Sequence, residues 1–142
     1  MELDLPQVSL PIANYLPYLI SNNMVFISGQ LPLENGKVKF VGKLGQTVSI
    51  EQGQEAARLC ALNILAQLKA AIGSLDKVKR CIKLSGFVNA TDDFTAHPQI
   101  INGASDLMVE AFGEPGKHAR AAVGVSSLPL GAAVEIEAIF EI

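Results

Sequence analysis

Residues 119–142, ARAAVGVSSLPLGAAVEIEAIFEI, carry the most regular alternation in the chain. They predict two strands, Ala119–Ser126 and Ala132–Ile142, joined by a Pro/Gly turn at residues 128–131. In the second strand every other side chain is apolar, and three of the side chains between them are acidic: Glu135, Glu137 and Glu141. A period of two places the apolar side chains on one face, which predicts a sheet that is buried on one side.

Two amphipathic helices are expected to cover that side of the sheet. The first begins after Ser49, which can form a capping box with Gln52, and it runs to about Ile72. The second has Pro98 in its first turn and an apolar stripe at helical spacing, made of Ile101, Ala104, Met108, Ala111 and Phe112. Because each helix has a single apolar stripe, both are predicted to lie in one layer.

The remaining strands complete the predicted sheet. Tyr18–Ser21 and Val25–Gln30 flank a short polar turn and indicate a hairpin. A further strand, Val78–Val88, lies between the two helices, with a bulge expected at Ser85 and Gly86. The order of strands, helix, strand, helix, strands predicts an α+β fold, a single sheet with two helices packed on one face.

The composition bounds the classes of protein to consider. The chain has 142 residues, 49% hydrophobic and 18% charged, so residues 1–142 are interpreted as a single domain whose apolar surface favours an oligomer. A net charge of −3 without Lys/Arg blocks argues against tight nucleic-acid binding. No apolar run reaches the roughly 20 residues of a membrane span. The acidic start Met1-Glu2-Leu3-Asp4 is unlike a signal peptide, so a cytoplasmic protein is expected.

Metal chemistry has little support in this sequence. Cys60 lies on a predicted helix and Cys81 on a predicted strand, without the spacing of a metal site. His97 and His118 likewise have no second ligand at a fixed offset. We therefore expect no metal, and we interpret the two cysteines as small buried residues.

Arg120 is the leading candidate for a binding residue. It begins a strand of small and apolar residues directly after a Gly/Pro loop, where a guanidinium can hold a carboxylate through two hydrogen bonds. Glu135 lies on the other strand of the same predicted hairpin, where it can orient Arg120, hold a water or move a proton. From spacing alone, an exposed arginine in a weak ion pair and a solvated strand carboxylate are the more common cases.

Four other positions are candidates for contact with a ligand. Ser28 and Gly29 end a strand and can supply a hydroxyl and backbone donors, although turn chemistry explains them equally well. Asn102, which precedes Gly103, is unusual inside a helix and can face a ligand. Tyr15 belongs to a residue type that more often packs than reacts. These residues by themselves indicate a small α+β domain with a candidate anion site.

Three segments together resemble the RidA/YjgF family of reactive intermediate deaminases, some of which are called L-PSP endoribonucleases. The segments are Ile27–Pro32, Asp76–Cys81 and the stretch from Arg120 to Ala138, R-x-x-V-x-V-x-x-L-P-x-x-x-x-V-E-I-E-A. The resemblance spans most of the chain, and the third segment is the most specific. It implies a chorismate-mutase-like homotrimer in which three sheets form an inner barrel and a cleft lies between each two subunits.

The resemblance also implies a reaction and roles for the candidate residues. Arg120 matches the arginine that binds the substrate carboxylate, and Glu135 matches a glutamate that helps to deliver water. Tyr15, Ser28 and Asn102 match pocket residues. The family reaction hydrolyses 2-imino or 2-enamino acids to 2-keto acids and ammonia. Since the iminium carbon is already electrophilic, a fixed carboxylate, a positioned water and a proton source suffice without a cofactor.

Some positions depart from the family pattern, and three functions stay open. Ala122 stands where some members have cysteine, Leu130 stands where many have a basic residue, and the loop Gly113–His118 differs in length. The leading hypothesis is an imine or enamine deaminase. The alternative is a non-catalytic trimer that binds or senses a small carboxylate. An endoribonuclease is less favoured, because the chain is acidic and no histidine pair is spaced for RNA cleavage.

Overall fold

Two long helices pack on one face of a five-stranded sheet in the computed structural model, which describes residues 3–8 and 14–142. The short strands β3 and β4 form a separate two-stranded ladder. Within the described residues the elements are β1 (Tyr18–Ser21), β2 (Met24–Gln30), β3 (Leu33–Glu34), β4 (Lys37–Val38), α1 (Ile50–Ile72), β5 (Arg80–Asn89), α2 (His97–Phe112), β6 (Ala119–Val125) and β7 (Val134–Glu141). The predicted α+β class, with a single main sheet covered on one face by two helices, is confirmed.

The strand order is β1-β2-β7-β5-β6. The predicted hairpin of β6 and β7 is therefore wrong, because β5 lies between these two strands. The reason is the crossover through α2, which brings the chain back to the same end of the sheet, so that β6 pairs with β5 in parallel. The strand with the cleanest alternation, β7, takes the centre, and β6 becomes an edge.

The bulge predicted at Ser85 and Gly86 is also misplaced. The register between β5 and β7 shifts at Cys81/Lys83, and Gly86 pairs regularly with Ile136. Gly86 is required for another reason, because a Cβ there would lie 2.5 Å from the Cδ1 atom of Ile101 on α2. This glycine therefore marks the place where a helix packs closely on the sheet.

The core lies between the helices and the sheet. The capping box at Ser49 is confirmed: Gln52 N donates to Ser49 Oγ at 3.1 Å, and Ser49 N donates to Gln52 Oε1 at 2.9 Å. This capping box fixes the start of α1 at Ile50, one residue after Ser49. The largest fully buried apolar side chains come from both layers and the loop before α1: Leu44, Ile64, Leu65, Leu68, Leu84, Ile100, Ile101, Leu107, Met108, Ile136 and Phe140.

The backbones of the two helices are in close contact at Gly103. A Cβ at this position would lie 2.1 Å from the backbone oxygen of Gln54 on α1. Glycine costs about 1 kcal/mol relative to alanine inside a helix. Here that cost is offset, because the missing side chain lets the two backbones pack against each other and fixes how α2 presents its polar residues.

Cys60 and Cys81 are buried free thiols, as predicted. Burial is the main cause that raises the pKa of Cys60 well above its ordinary value. Burial likewise raises the pKa of Cys81 to about 12, partly opposed by Arg80. Both groups therefore stay protonated at neutral pH and act as small apolar residues.

Candidate functional site

Arg120 and Asn102 meet at the β6 edge of the sheet. Arg120 aligns with the buried Leu84 in the β5–β6 register, so its side chain leaves the sheet on the helix-covered face. There Arg120 Nη1 donates hydrogen bonds to Asn102 Oδ1 at 2.8 Å and to Ser105 Oγ at 3.1 Å. Asn102 therefore faces the guanidinium, which explains a polar residue inside this helix.

Sequence reasoning missed Ser105 and His118, which extend this cluster. Ser105 Oγ lies 2.9 Å from His118 Nε2, and His118 Nδ1 lies 2.6 Å from the backbone oxygen of Gly116. Two spacings could have found them. Ser105 follows Asn102 by three residues on one helix face, and His118 precedes Arg120 by two residues, which is the period of an extended chain.

Among the described residues, the contacts of Arg120 leave one edge of its guanidinium without an acceptor. Nη1 carries two hydrogens, and Asn102 and Ser105 accept both of them. No ion pair of Arg120 occurs within the part of the chain that the structure describes. The Nε and Nη2 hydrogens remain, and they form a parallel pair that matches the two oxygens of a carboxylate.

A shallow, largely open depression of about 270 Å³ adjoins this guanidinium. Its lining combines positive and neutral polar groups with one acidic and one apolar side chain: Ser105, Asp106, Val109, Lys117, His118 and Arg120. A small organic acid would fit beside the guanidinium here, with part of its surface left open to solvent in a single copy of the chain.

The second polar cluster lies near β1 and β2. Ser28 Oγ donates to the backbone oxygen of Leu16 at 2.6 Å, next to Tyr15, whose side chain is exposed. The Glu135 side chain occupies the space beside Gly29, because a Cβ at Gly29 would lie 2.7 Å from Glu135 Oε2. The structure thus brings Ser28, Gly29 and Glu135 together. Tyr15 directly precedes Leu16, whose backbone oxygen accepts the hydrogen bond from Ser28.

The two clusters lie apart within one chain. Three strand spacings separate β2 from β6, which is roughly 14 Å. Glu135 aligns with Phe87 on β5, three residues beyond Leu84, so it points to the face opposite to that of Arg120. The expectation that Glu135 is on the strand next to Arg120 and orients it there is therefore wrong for a single chain.

The Glu135 carboxyl group has a raised pKa. Its side chain is half-buried, and this burial is the main cause that raises its pKa above the ordinary value of 4.5. Repulsion from Glu137, two residues away on the same face, raises the pKa further. A carboxyl group with a raised pKa gives up and recovers a proton more readily near neutral pH.

Glu135→Gln is expected to raise the thermal unfolding midpoint at about pH 8 and to change it little at about pH 4. A raised pKa means that the folded chain binds this proton more tightly than the unfolded chain does. Stability is therefore lost as the pH rises from 4.5 through the higher folded-state value. Thermal melts across this range test the prediction, with the exposed Glu55→Gln as control. A shift in midpoint that is equal at both pH values would contradict it.

The fold and these clusters define a class of small α+β proteins with a sheet covered on one side, one polar cluster at the β6 edge and another on β2 and the central strand β7. The family described as "YjgF/chorismate mutase-like, putative endoribonuclease" matches residues 1–141. The chain belongs to this YjgF/RidA family, as its sequence motifs predict.

Similar proteins share the fold over nearly the whole chain. The Agrobacterium tumefaciens protein Atu1372 is 54% identical, with a TM-score of 0.90 over 94% of this chain and 86% of its own. The Trypanosoma cruzi protein TCP17 is 46% identical over 100% of this chain and 89% of its own length. Escherichia coli TdcF, solved with bound serine, is 26% identical, with a TM-score of 0.70 over 96% of this chain and 94% of its own.

Of the helices within residues 3–8 and 14–142, none combines the length and the apolar character that a membrane span requires. Across the same residues, no group of three or more His, Cys, Asp or Glu side chains is arranged to hold a metal ion.

Proposed function

We propose that the protein hydrolyses small 2-imino or 2-enamino acids to 2-keto acids and ammonia. The observation that carries the proposal is the held guanidinium of Arg120. Asn102 and Ser105 fix its Nη1 atom, while its Nε and Nη2 hydrogens have no acceptor within residues 3–8 and 14–142. Such a pair of donors binds a carboxylate in one orientation, which also sets the position of the adjoining imine carbon.

We further propose that the site is completed by a second copy of the chain in a homotrimer. Arg120 lies on the β6 edge, whereas Glu135 lies on the central strand β7, beside Gly29 of β2 and on the other face, so a cyclic arrangement can bring the β6 edge of one copy to the Glu135 side chain of the next. The sheet face away from the helices also exposes large apolar side chains that a second copy would cover: Leu19, Phe26 and Val123.

In the proposed reaction, Arg120 binds the substrate carboxylate and Glu135 of a neighbouring copy acts on water. The substrate reacts as the protonated imine: Glu135 takes a proton from water as the water oxygen bonds to the imine carbon, which gives a neutral tetrahedral amino alcohol. Glu135 then returns this proton to nitrogen. As the C–N bond breaks, the hydroxyl oxygen forms the C=O bond of the 2-keto acid and passes its proton to the Glu135 carboxylate, from which it leaves with ammonia as ammonium. The raised pKa of Glu135 suits these transfers.

Purified protein added to an amino-acid oxidase, which generates the imine in solution, tests this proposal. We expect faster release of the 2-keto acid than the oxidase gives alone. Glu135→Gln is expected to lower kcat about 100-fold or more, the usual range for a lost acid–base group, with a smaller change in KM. Full activity of Glu135→Gln would remove Glu135 from the mechanism.

A non-catalytic carboxylate binder or regulatory trimer is the alternative. It is favoured by the serine bound to the related TdcF, because serine carries a carboxylate but no imine. Binding of a 2-keto acid to this protein without any acceleration of imine hydrolysis would support this alternative. Endoribonuclease activity, which the family description names, has less support because the net charge of −3 is unfavourable for a polyanion.

A further inference from the structure

We infer that Ser105 and His118 are positioning residues for Arg120, and that they set the edge of its guanidinium at which a substrate carboxylate binds. The inference rests on the proposed function for its substrate. The hydrogen bonds among Arg120, Ser105, His118 and Gly116 exist without ligand, so they can be tested in the free protein.

Hydrogen bonds link Arg120 to Ser105, Ser105 to His118, and His118 to the backbone oxygen of Gly116. The Gly116 oxygen determines the donor and the acceptor in each of them. The backbone oxygen of Gly116 only accepts, so His118 Nδ1 carries a proton and donates to it at 2.6 Å. In the neutral ring Nε2 is then an acceptor, and the Ser105 hydroxyl donates to it at 2.9 Å. This leaves the lone pairs of Ser105 Oγ to accept from Arg120 Nη1 at 3.1 Å.

The backbone oxygen of Gly116, which accepts the hydrogen bond from His118, is fixed in position by packing. Gly116 is buried, and a Cβ there would lie 2.1 Å from the backbone oxygen of Met108 on α2. Gly116 N also donates to the backbone oxygen of Gly113 at 2.9 Å. The acceptor for His118 is therefore fixed against α2, and His118 transfers that fixed position to the Ser105 hydroxyl.

The consequence for Arg120 is one preferred orientation. Asn102 and Ser105 together accept both Nη1 hydrogens, so end-on binding through Nη1 and Nη2 would break a bond already formed. Side-on binding through Nε and Nη2 breaks none. Because the arginine is already ordered, a ligand does not have to order a long exposed side chain when it binds.

Pyruvate binding, measured by calorimetry, and imine turnover test the role of Ser105. Ser105→Ala is expected to raise the dissociation constant and KM about tenfold, the usual effect of one lost hydrogen bond, with kcat changed less than about threefold. Ser105→Thr, which keeps the hydroxyl, is expected to restore both constants. Glu110→Gln, on an exposed part of the same helix, is the control and should resemble the unmodified protein.

His118→Ala is expected to weaken pyruvate binding by a smaller factor, about threefold, because Ser105 keeps its contact with Arg120 but loses its fixed orientation. The double variant with Ser105→Ala should bind no more weakly than Ser105→Ala alone, since the two residues act through one contact. If the double variant weakened pyruvate binding by the product of the two single factors, the inference would be contradicted.

A nitrogen-15 NMR spectrum of His118 in the ligand-free protein tests the arrangement independently of function. We expect a neutral ring protonated at Nδ1 in the unmodified protein and a mixture of tautomers in Ser105→Ala. A ring protonated at Nε2, or pyruvate binding unchanged in Ser105→Ala, would overturn the inference. If the unmodified protein binds no pyruvate, the proposed function fails, and the tautomer alone decides the positioning role.

Discussion

Arg120→Ala is expected to lower kcat/KM for imine hydrolysis about 100-fold or more and to weaken pyruvate binding to a similar extent. The reason is the loss of two parallel charge-assisted hydrogen bonds, each worth about 1.5–3 kcal/mol when one partner is charged. Turnover with imine generated in solution and calorimetric titration with pyruvate measure the two effects. Because Arg120 is exposed and has no ion pair within the described residues, the thermal midpoint should change little.

Arg58→Ala is the matched control for this variant. Arg58 is also an exposed arginine, and it pairs with Glu110 at 3.2 Å on the outer side of the helices. Its loss should leave kcat/KM unchanged, since exposed ion pairs contribute about 0–1 kcal/mol to stability and this one is not part of the proposed site. Equal activity of Arg120→Ala and Arg58→Ala would exclude the guanidinium of Arg120 from substrate binding.

Mixing two inactive variants extends the test to the assembly. If each site takes Arg120 from one copy and Glu135 from its neighbour, equal amounts of Arg120→Ala and Glu135→Gln chains should recover about a quarter of the full activity after joint refolding. A site is intact when both of its contributing chains carry the unmodified residue, which has a probability of about one half for each position in a random ring. No recovery from a confirmed mixed assembly would mean that each site uses both residues from one copy.

Gly103→Ala is expected to destabilise the fold by about 3 kcal/mol or more. In an exposed helix this change would stabilise by about 1 kcal/mol, so the packing reverses the usual sign. The new Cβ would lie 2.1 Å from the backbone oxygen of Gln54, and a backbone atom cannot rotate away as the end of a side chain can. Chemical denaturation gives the free energy of unfolding.

Gly53→Ala provides the comparison at the same helix–helix contact. Its Cβ would meet only side-chain ends, Ile100 Cδ1 at 2.8 Å and Leu44 Cδ1 at 3.0 Å. These groups can move by a few tenths of an ångström, so the expected loss is about 1 kcal/mol or less after the gain in helix propensity. Similar free energies of unfolding for the two variants would mean that the helices separate easily and that Gly103 does not fix α2.

Much of the architecture could be predicted because it depends on local patterns. The alternation in β7 and the capping box at Ser49 correctly predicted a sheet covered on one face and the start of α1. The family resemblance also placed Asn102 and Arg120 in one pocket, and the structure shows that the two side chains are in contact at 2.8 Å. These features follow from residues near in sequence or from a motif that is specific by itself.

The mistaken hairpin shows where local patterns stop. The turn at residues 128–131 predicts that the chain changes direction, yet it does not specify which strand lies next to β7. That choice depends on the α2 crossover, which places β6 in parallel beside β5 and leaves β7 to pair with β2 and β5. The wrong position predicted for Glu135 has the same cause. Because β5 lies between β6 and β7, Glu135 is farther from Arg120 than a hairpin would place it, and it points to the other face of the sheet.

The sequence by itself determined the class of fold, the helix starts, the apolar faces and the identity of the leading candidate, Arg120. Only the tertiary structure decided the order of strands, the need for glycine at position 103, and the contacts of Ser105 and His118 with the arginine. The physical reason is range. Periodicity and capping act within a few residues of chain, whereas strand neighbours, close backbone contacts and the hydrogen bonds around Arg120 are set by how α2 packs against the rest of the molecule.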